Sequence, residues 1–296
     1  MTAKAQLRTV RRFFGDLAVP GTVKALLWAV AGFNVLLLAW TFLSSVRTSR
    51  ALWTSPLGVD GLDLGGYARA WHAADFAGML LNTVLVVGVS LLGILLVATP
   101  AAYMLARSSR RSAGPTLTYF AAGLALPVQA VLIPYQTLAS SVSQFMVDWV
   151  TGWWDDRISL VVVDVAMSLP FTVFVLSGYF RSLPAELEEA AALDGAGPVR
   201  TFWTVMVPVA RPGLTTVTVL NAIGLWNEFL LVSVMVHDPA KFTLPAALNQ
   251  LSSTMQYTSD WGGLFAGVTI LVAPMVALFF WCGRRIMDGM TLGATK

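Results

Sequence analysis

The chain has 296 residues, of which 56% are hydrophobic and 12% charged, with a mean hydropathy of +0.70. Soluble domains carry about 25% charged residues, so a soluble fold this apolar could not cover its own surface, and the bilayer is the natural solvent for the excess. One cysteine, Cys282, excludes an internal disulfide and a cysteine-based metal cluster. His72 and His237 are far apart, and the chain has neither an HExxH motif nor a P-loop, so no catalytic, metal or cofactor site is expected in it.

In chain order, the basic residues Lys4, Arg8, Arg11, Arg12 and Lys24 precede a first apolar run, 25–46. This run is longer than the apolar region of a signal peptide and reads as a retained transmembrane helix. Five further runs are long enough to cross a bilayer core of about 30 Å: 77–105, 116–138, 158–180, 213–236 and 261–282. They do not alternate as barrel strands would, so helices satisfy the backbone. The expected fold class is an all-α integral membrane protein with six transmembrane helices. Residues 1–24 form an N-terminal segment, 25–282 the membrane domain, and 283–296 a C-terminal tail.

With six spans both termini share one side. That side carries Lys4, Arg8, Arg11, Arg12, Lys24, Arg107, Arg110, Arg111, Arg181, Arg200, Arg211, Arg284, Arg285 and Lys296. The opposite loops hold Arg47, Arg50, Arg69, Arg157 and Lys241. This asymmetry places both termini in the cytoplasm. The basic pI of about 9.2 therefore records topology rather than nucleic-acid binding. The outer loops contain Trp53, Trp71, Trp149, Trp153, Trp154 and Tyr257, which read either as an interfacial aromatic belt or as a docking surface for an external partner.

The longest cytoplasmic loop, 181–212, carries the most information. Pro184 suits a first helical turn, Glu186, Glu188 and Glu189 favour a helix N-terminus, and Ala190, Ala191 and Ala192 propagate it. Gly195 and Gly197 stop that helix, and Pro198 starts a second, predicted over 198–207. The loop reads either as a solvated linker or as a knob presented to a soluble partner.

The segment Glu189-Ala190-Ala191, Asp194-Gly195-Ala196, Phe202, Val207-Pro208 and Pro212 resembles the EAA loop of bacterial ABC importer permeases. Leu81-Asn82-Thr83, Tyr103-Met-Leu-Ala-Arg107, Leu126-Pro127, Ile133-Pro134-Tyr135, Leu169-Pro170-Phe171 and Trp226-Asn227-Glu228-Phe229 are similar to marks of the successive helices of that family. The tail Gly289-Met290-Thr291-Leu292-Gly293-Ala294-Thr295-Lys296 resembles that of the carbohydrate-uptake, maltose-type branch, departing from it at Thr295 and at the final residue. The stretch 140–157 is longer and more aromatic than the family's usual outer loop.

The resemblance implies the type I ABC importer permease fold and a multi-pass place in the bacterial plasma membrane. It implies that Glu189, Ala190, Ala191, Asp194, Gly195 and Ala196 form a coupling helix seated on an ATPase. It further implies a second permease subunit, an ATPase dimer that binds ATP and Mg, and an extracytoplasmic sugar-binding protein. A polyol or glycerol phosphodiester permease is the runner-up, and a secondary transporter leaves the loop unexplained.

A charge at a helix centre costs on the order of 3 kcal/mol on insertion scales, so polar residues in the spans are candidates for function. Asp164 and Glu228 are the charged ones, and Asn82, Gln129, Asn221 and Asn227 add hydrogen-bonding groups. Glu228 is expected well inside the fifth helix, either linking helices or subunits or lining the translocation path. Asp164 lies near the outer end of the fourth span, within reach of the interface. Pro127, Pro134, Pro170 and Pro274 fall within the expected spans, as packing kinks or as sites that free carbonyls toward a central path.

Overall fold

The computed structural model describes residues 21–73 and 75–292. Lys4, Arg8, Arg11 and Arg12 and the terminal Gly293-Ala294-Thr295-Lys296 lie outside the described residues. Among the described residues the chain is helical, and the one extended pairing is an isolated antiparallel bridge between Arg47 and Leu62. The chain divides into two compact units. One contains residues up to Ala70 with Thr258–Thr269, and the other contains Trp71–Tyr257 with the chain from Ile270 onward.

The first unit begins with α1 (Gly21–Ser45). Leu26, Trp28, Phe33, Val35 and Leu36 are exposed around it, and a helix apolar on all sides has lipid as its solvent. After it the chain folds around Arg47, only 1% exposed. Its guanidinium donates Nε to Asp60 O at 3.2 Å, Nη1 to Pro56 O at 3.2 Å, and Nη2 to Ala51 O at 3.1 Å and Ser55 O at 2.6 Å. Ala51 belongs to α2 (Ser49–Thr54) and Ser55 is its C-cap, so the cation also sits at the negative end of a helix. The charge read from sequence as a topology marker is thus the core of the 47–62 turn. Next, α3 (Gly65–Ala73) carries Arg69, which bridges Asp63 and Asp260, each at 2.9 Å. Its hydrogen bonds hold both carboxyls below their ordinary range.

The second unit is built on α4 (Phe76–Arg107) and α7 (Asp156–Ser182). Both are long apolar runs, and the two backbones approach closely at Gly93. A Cβ there would lie 2.8 Å from Val165 Cγ2, so the pair uses the small-residue contact favoured between membrane helices. Toward the Arg107 end, Ile94, Ala98, Val173, Leu176 and Phe180 form one buried cluster, joined by Phe202 and Met206. Toward the other end, Val86 and Leu160 pack with Leu231, Val232 and Met235.

Three described helices, α1, α4 and α7, are long and apolar enough to cross a membrane. The expected third span is a broken pair instead, α5 (Arg110–Gly123) and α6 (Val128–Met146), bent by 94°. Pro127 sits in an extended conformation at the N-terminus of α6 and marks the break, because it supplies no N–H to continue α5. The second loop helix is also interrupted. After α8 (Glu186–Leu193) comes α9 (Pro198–Thr201), then a π turn at Phe202–Met206 and a short helical run, Val207–Val209. The fifth expected span divides into α10 (Arg211–Asn227) and α11 (Leu230–Met235). A 3-10 turn at Pro239–Lys241 leads to α12 (Leu244–Thr258), and α13 runs over Trp261–Leu292, its apolar part being Trp261–Ala277.

Replacing Arg47 tests the first unit. Arg47→Gln leaves buried carbonyls without donors, a loss of about 2 kcal/mol or more. The amides of Thr48 and Asp63, bonded across the turn to Gly61 O and Val46 O, should then exchange roughly 30-fold faster. Unchanged protection of these amides by hydrogen-exchange mass spectrometry contradicts this role.

Candidate functional site

The 181–212 loop forms a compact knob. Glu186, Glu188 and Glu189 occupy the first turn of α8, where the macrodipole favours them because Ala185 offers no side-chain cap. The helix ends in a Schellman arrangement: Ala196 N–H donates to Ala191 O at 2.9 Å and Gly195 N–H to Ala192 O at 3.0 Å. Gly195 has φ +76°, a conformation that costs other L-residues roughly 1–2 kcal/mol. Ala191 is buried and Leu187 packs on the Phe180–Phe202–Met206 cluster, so one face of α8 anchors the knob.

The other face is open. Glu189, Ala190, Asp194 and Gly195 are exposed, and Ala196 is half-buried. Leu193 is 90% exposed, Val199 73% and Trp203 52%. These apolar side chains are left open on the knob. The sequence reading did not single out Leu193, Val199 and Trp203, since their meaning depends on which way the helices face.

It also missed how the knob is fastened. Arg107 Nε meets Glu188 Oε1 at 2.9 Å, and Arg107 Nη2 donates to Leu183 O at 3.2 Å. In return Arg181 Nη2 donates to Leu105 O at 3.4 Å. The ends of α4 and α7 thus grip each other's last turn, and α8 is tied to α4 by a half-buried ion pair. The arginines were visible in sequence, but only as members of the basic side.

Deeper in the bundle, Asp164, Asn221 and Glu228 line one cavity of about 330 Å³, together with Ser168, Met167 and Gly224. Asp164 does not reach an interface: it is 5% exposed and accepts a hydrogen bond from Ser90 Oγ at 3.4 Å. Glu228 is not inside a helix. It lies in the extended break between α10 and α11, and its Oε1 accepts Leu231 N–H at 2.9 Å. Asn221 donates Nδ2 to Thr172 Oγ1 at 2.9 Å and Val217 O at 2.8 Å. A Cβ added to Gly224 would meet nothing within 4 Å, so this part of the wall is bare backbone.

The other polar candidates lie elsewhere. Gln129 is exposed, and Asn227 is exposed and bonds back to Ile223 O at 2.7 Å. Asn82 belongs to a fastening at the far end of α4 and α7. It donates to Ala240 O at 2.9 Å and Phe242 O at 3.2 Å, and accepts from Arg157 Nη1 at 2.8 Å. Arg157 in turn pairs with Asp155 at 2.6 Å. The hydrogen bonds from Arg157, opposed by burial, bring the Asp155 carboxyl from its ordinary 3.8 down to about 2. No described group of His, Cys, Asp and Glu has the arrangement of a metal site.

Long apolar helices around a polar cavity are the features of a membrane subunit that passes a solute. Residues 98–291 match the family of binding-protein-dependent transport system inner membrane components, and the chain belongs to that family. It is 34% identical to the diacetylchitobiose uptake system permease protein NgcG of Streptomyces coelicolor, over 99% of this chain and 93% of that one. It is 28% identical to the trehalose transport system permease protein SugB of Mycobacterium tuberculosis, over 93% and 99%. The fold matches a chain from the crystal structure of a bacterial ABC transporter involved in import of the acidic polysaccharide alginate. The TM-score is 0.71 at 22% identity, covering 92% of this chain and 96% of that one. The protein is therefore a multi-pass inner-membrane permease subunit of an ABC importer, and not its ATP-hydrolysing enzyme.

Two outcomes are expected. Glu188→Arg should lower transport per ATP hydrolysed at least ~5-fold by releasing α8 from α4, and adding Arg107→Glu should restore much of it; failure of the exchange to rescue removes this pair from coupling. At the other end, a depressed folded-state value means that Asp155 contributes fully above its ordinary 3.8 and loses that contribution as pH falls toward 2. Acid destabilisation of the purified complex between about pH 4 and 2 should shrink in Asp155→Asn, read by thermal shift across pH; identical profiles refute the assignment.

Proposed function

We propose that this chain is one of two permease subunits of an ATP-driven, binding-protein-dependent sugar importer. The observation that carries the reading is the rigid knob at α8, whose exposed face offers Glu189, Asp194 and Leu193 beside Val199 and Trp203. A subunit with no P-loop of its own takes its energy through such a surface. The named substrates of two relatives, diacetylchitobiose and trehalose, support a saccharide as the transported solute.

In this reading the chain crosses the membrane six times, with both termini and the knob in the cytoplasm, as the distribution of lysine and arginine supports. The broken pair α5–α6 and the broken α10–α11 each count as one crossing. The partners are a second permease subunit, a dimer of ATPase subunits that binds ATP and Mg, and an external sugar-binding protein. Closure of the ATPase dimer moves α8. The ion pair of Glu188 with Arg107 and the crossed grips of Arg107 and Arg181 carry that motion into α4 and α7. The cavity of Asp164, Asn221 and Glu228 lies against these helices and opens alternately to either side. Glu189 pairs with a basic group of the ATPase, and Gly195 sets the turn.

Uptake of a radiolabelled disaccharide by proteoliposomes holding the full complex tests the proposal. Gly224→Trp should abolish uptake by filling the cavity while the ATPase still co-purifies. Normal uptake by that variant removes the cavity from the path. Purification of the chain without any ATPase from gently solubilised membranes overturns the importer reading.

A further inference from the structure

The cavity between α7, α10 and α11 has an unusual balance of hydrogen-bonding groups. Among the described residues its lining holds two carboxyl groups, Asp164 and Glu228, and no Lys, Arg or His. Two of the donors that border it are already used. Both N–H groups of Asn221 are spent on Thr172 Oγ1 and Val217 O. A carbonyl oxygen can only accept, so the bond to Val217 O fixes which atom of the amide is nitrogen, and the Asn221 oxygen is left as the free end. The N–H of Leu231, one of the donors at the helix break, is capped by Glu228 Oε1 at 2.9 Å. Asp164 is 5% exposed, and its one described bond, from Ser90, engages Oδ2 at a long 3.4 Å. Its other oxygen has no hydrogen-bond partner among the described residues. Ser168 alone adds a hydroxyl that can turn either way.

We infer that this cavity selects its solute by charge: it takes saccharides that present hydroxyl or ammonium hydrogens and rejects those that carry a carboxylate, phosphate or sulfate. The physical argument is complementarity. A sugar hydroxyl or an ammonium group donates to the carboxyl oxygens and to Asn221. An anionic group meets two carboxyls there and, among the described lining residues, no Lys, Arg or His to receive it, and that mismatch is costly. Specificity of this kind is an opposing charge built into the path rather than an added attraction. At about 330 Å³ the space suits one sugar ring at a time, at the lower end of small-molecule sites. The inference rests on the sugar-importer reading and narrows it, since it disfavours a glycerol phosphodiester and any uronate polymer.

The test uses the intact complex of this chain with its second permease and ATPase subunits, in lipid nanodiscs and without the external binding protein, whose own preference would mask the cavity's. Saturation-transfer NMR titrations compare three disaccharides of one skeleton: cellobiose, the free amino sugar chitobiose, and cellobiouronic acid. Cellobiose and chitobiose should bind, and the uronate at least ~10-fold more weakly, which corresponds to about 1.4 kcal/mol. Asp164→Asn with Glu228→Gln should bring the uronate to within ~3-fold of cellobiose. The single variants, each checked for co-purified ATPase, should give intermediate values and carry the test where the double variant does not assemble. Equal binding of the uronate by the wild type, or a discrimination that both substitutions leave unchanged, overturns the inference. The sugar reading is judged separately, by saccharide uptake with ATP and the binding protein. Absence of all saccharide uptake with the charge discrimination intact removes the sugar reading and leaves the charge selection standing.

Discussion

The close pairing of α4 with α7 is the constraint on which the second unit depends. In lipid no water is expelled when two apolar helices meet, so they associate through tight backbone approach and a few polar contacts. The approach occurs at Gly93 against Val165. Polar contacts lock it along its length: Arg157 to Asn82 at one end, Ser90 to Asp164 in the middle, and Ser177 to Ala102 O near the other. Arg107 and Arg181 then close the last turns. The cavity residue Asp164 and the anchors of α8 thus stand on the same helix pair.

Parts of this were legible in the chain. The spans α1, α4 and α7 were readable because each is a single uninterrupted apolar run, the pattern that lipid imposes on a helix. The turn at Gly195 was readable because few residues other than glycine tolerate a positive φ. The breaks were not. Hydropathy averages over a window, and at 124–128 the apolar residues run through the bend without a change of polarity. Pro127 was noticed, yet proline in a span is equally a kink or a stop, and only the 94° bend distinguishes them. Glu228 reads as lying inside a helix because the apolar run 213–236 continues through it.

Arg47 shows a different limit. Position in a loop says that an arginine is outside the bilayer, not that it is outside the protein. Four carbonyl groups between Ala51 and Asp60 converge on it only after the turn has closed, and no local pattern announces such convergence. The same holds for Leu193, Val199 and Trp203, three apolar residues at irregular spacing whose exposure is set by how the loop folds.

The helix break at Glu228 joins these observations. A continuous α10–α11 would spend every backbone group internally and would carry Glu228 as an isolated charge in lipid. The break instead gives the carboxylate an N–H to accept, which lowers the cost of keeping an acid at this depth. The carboxylate also occupies one of the backbone donors at the break. A group that stabilises the break therefore also sets the sign of the cavity. Glu228→Gln keeps an oxygen for the Leu231 N–H while removing the charge, so the hold on the break and the sign of the cavity are separable.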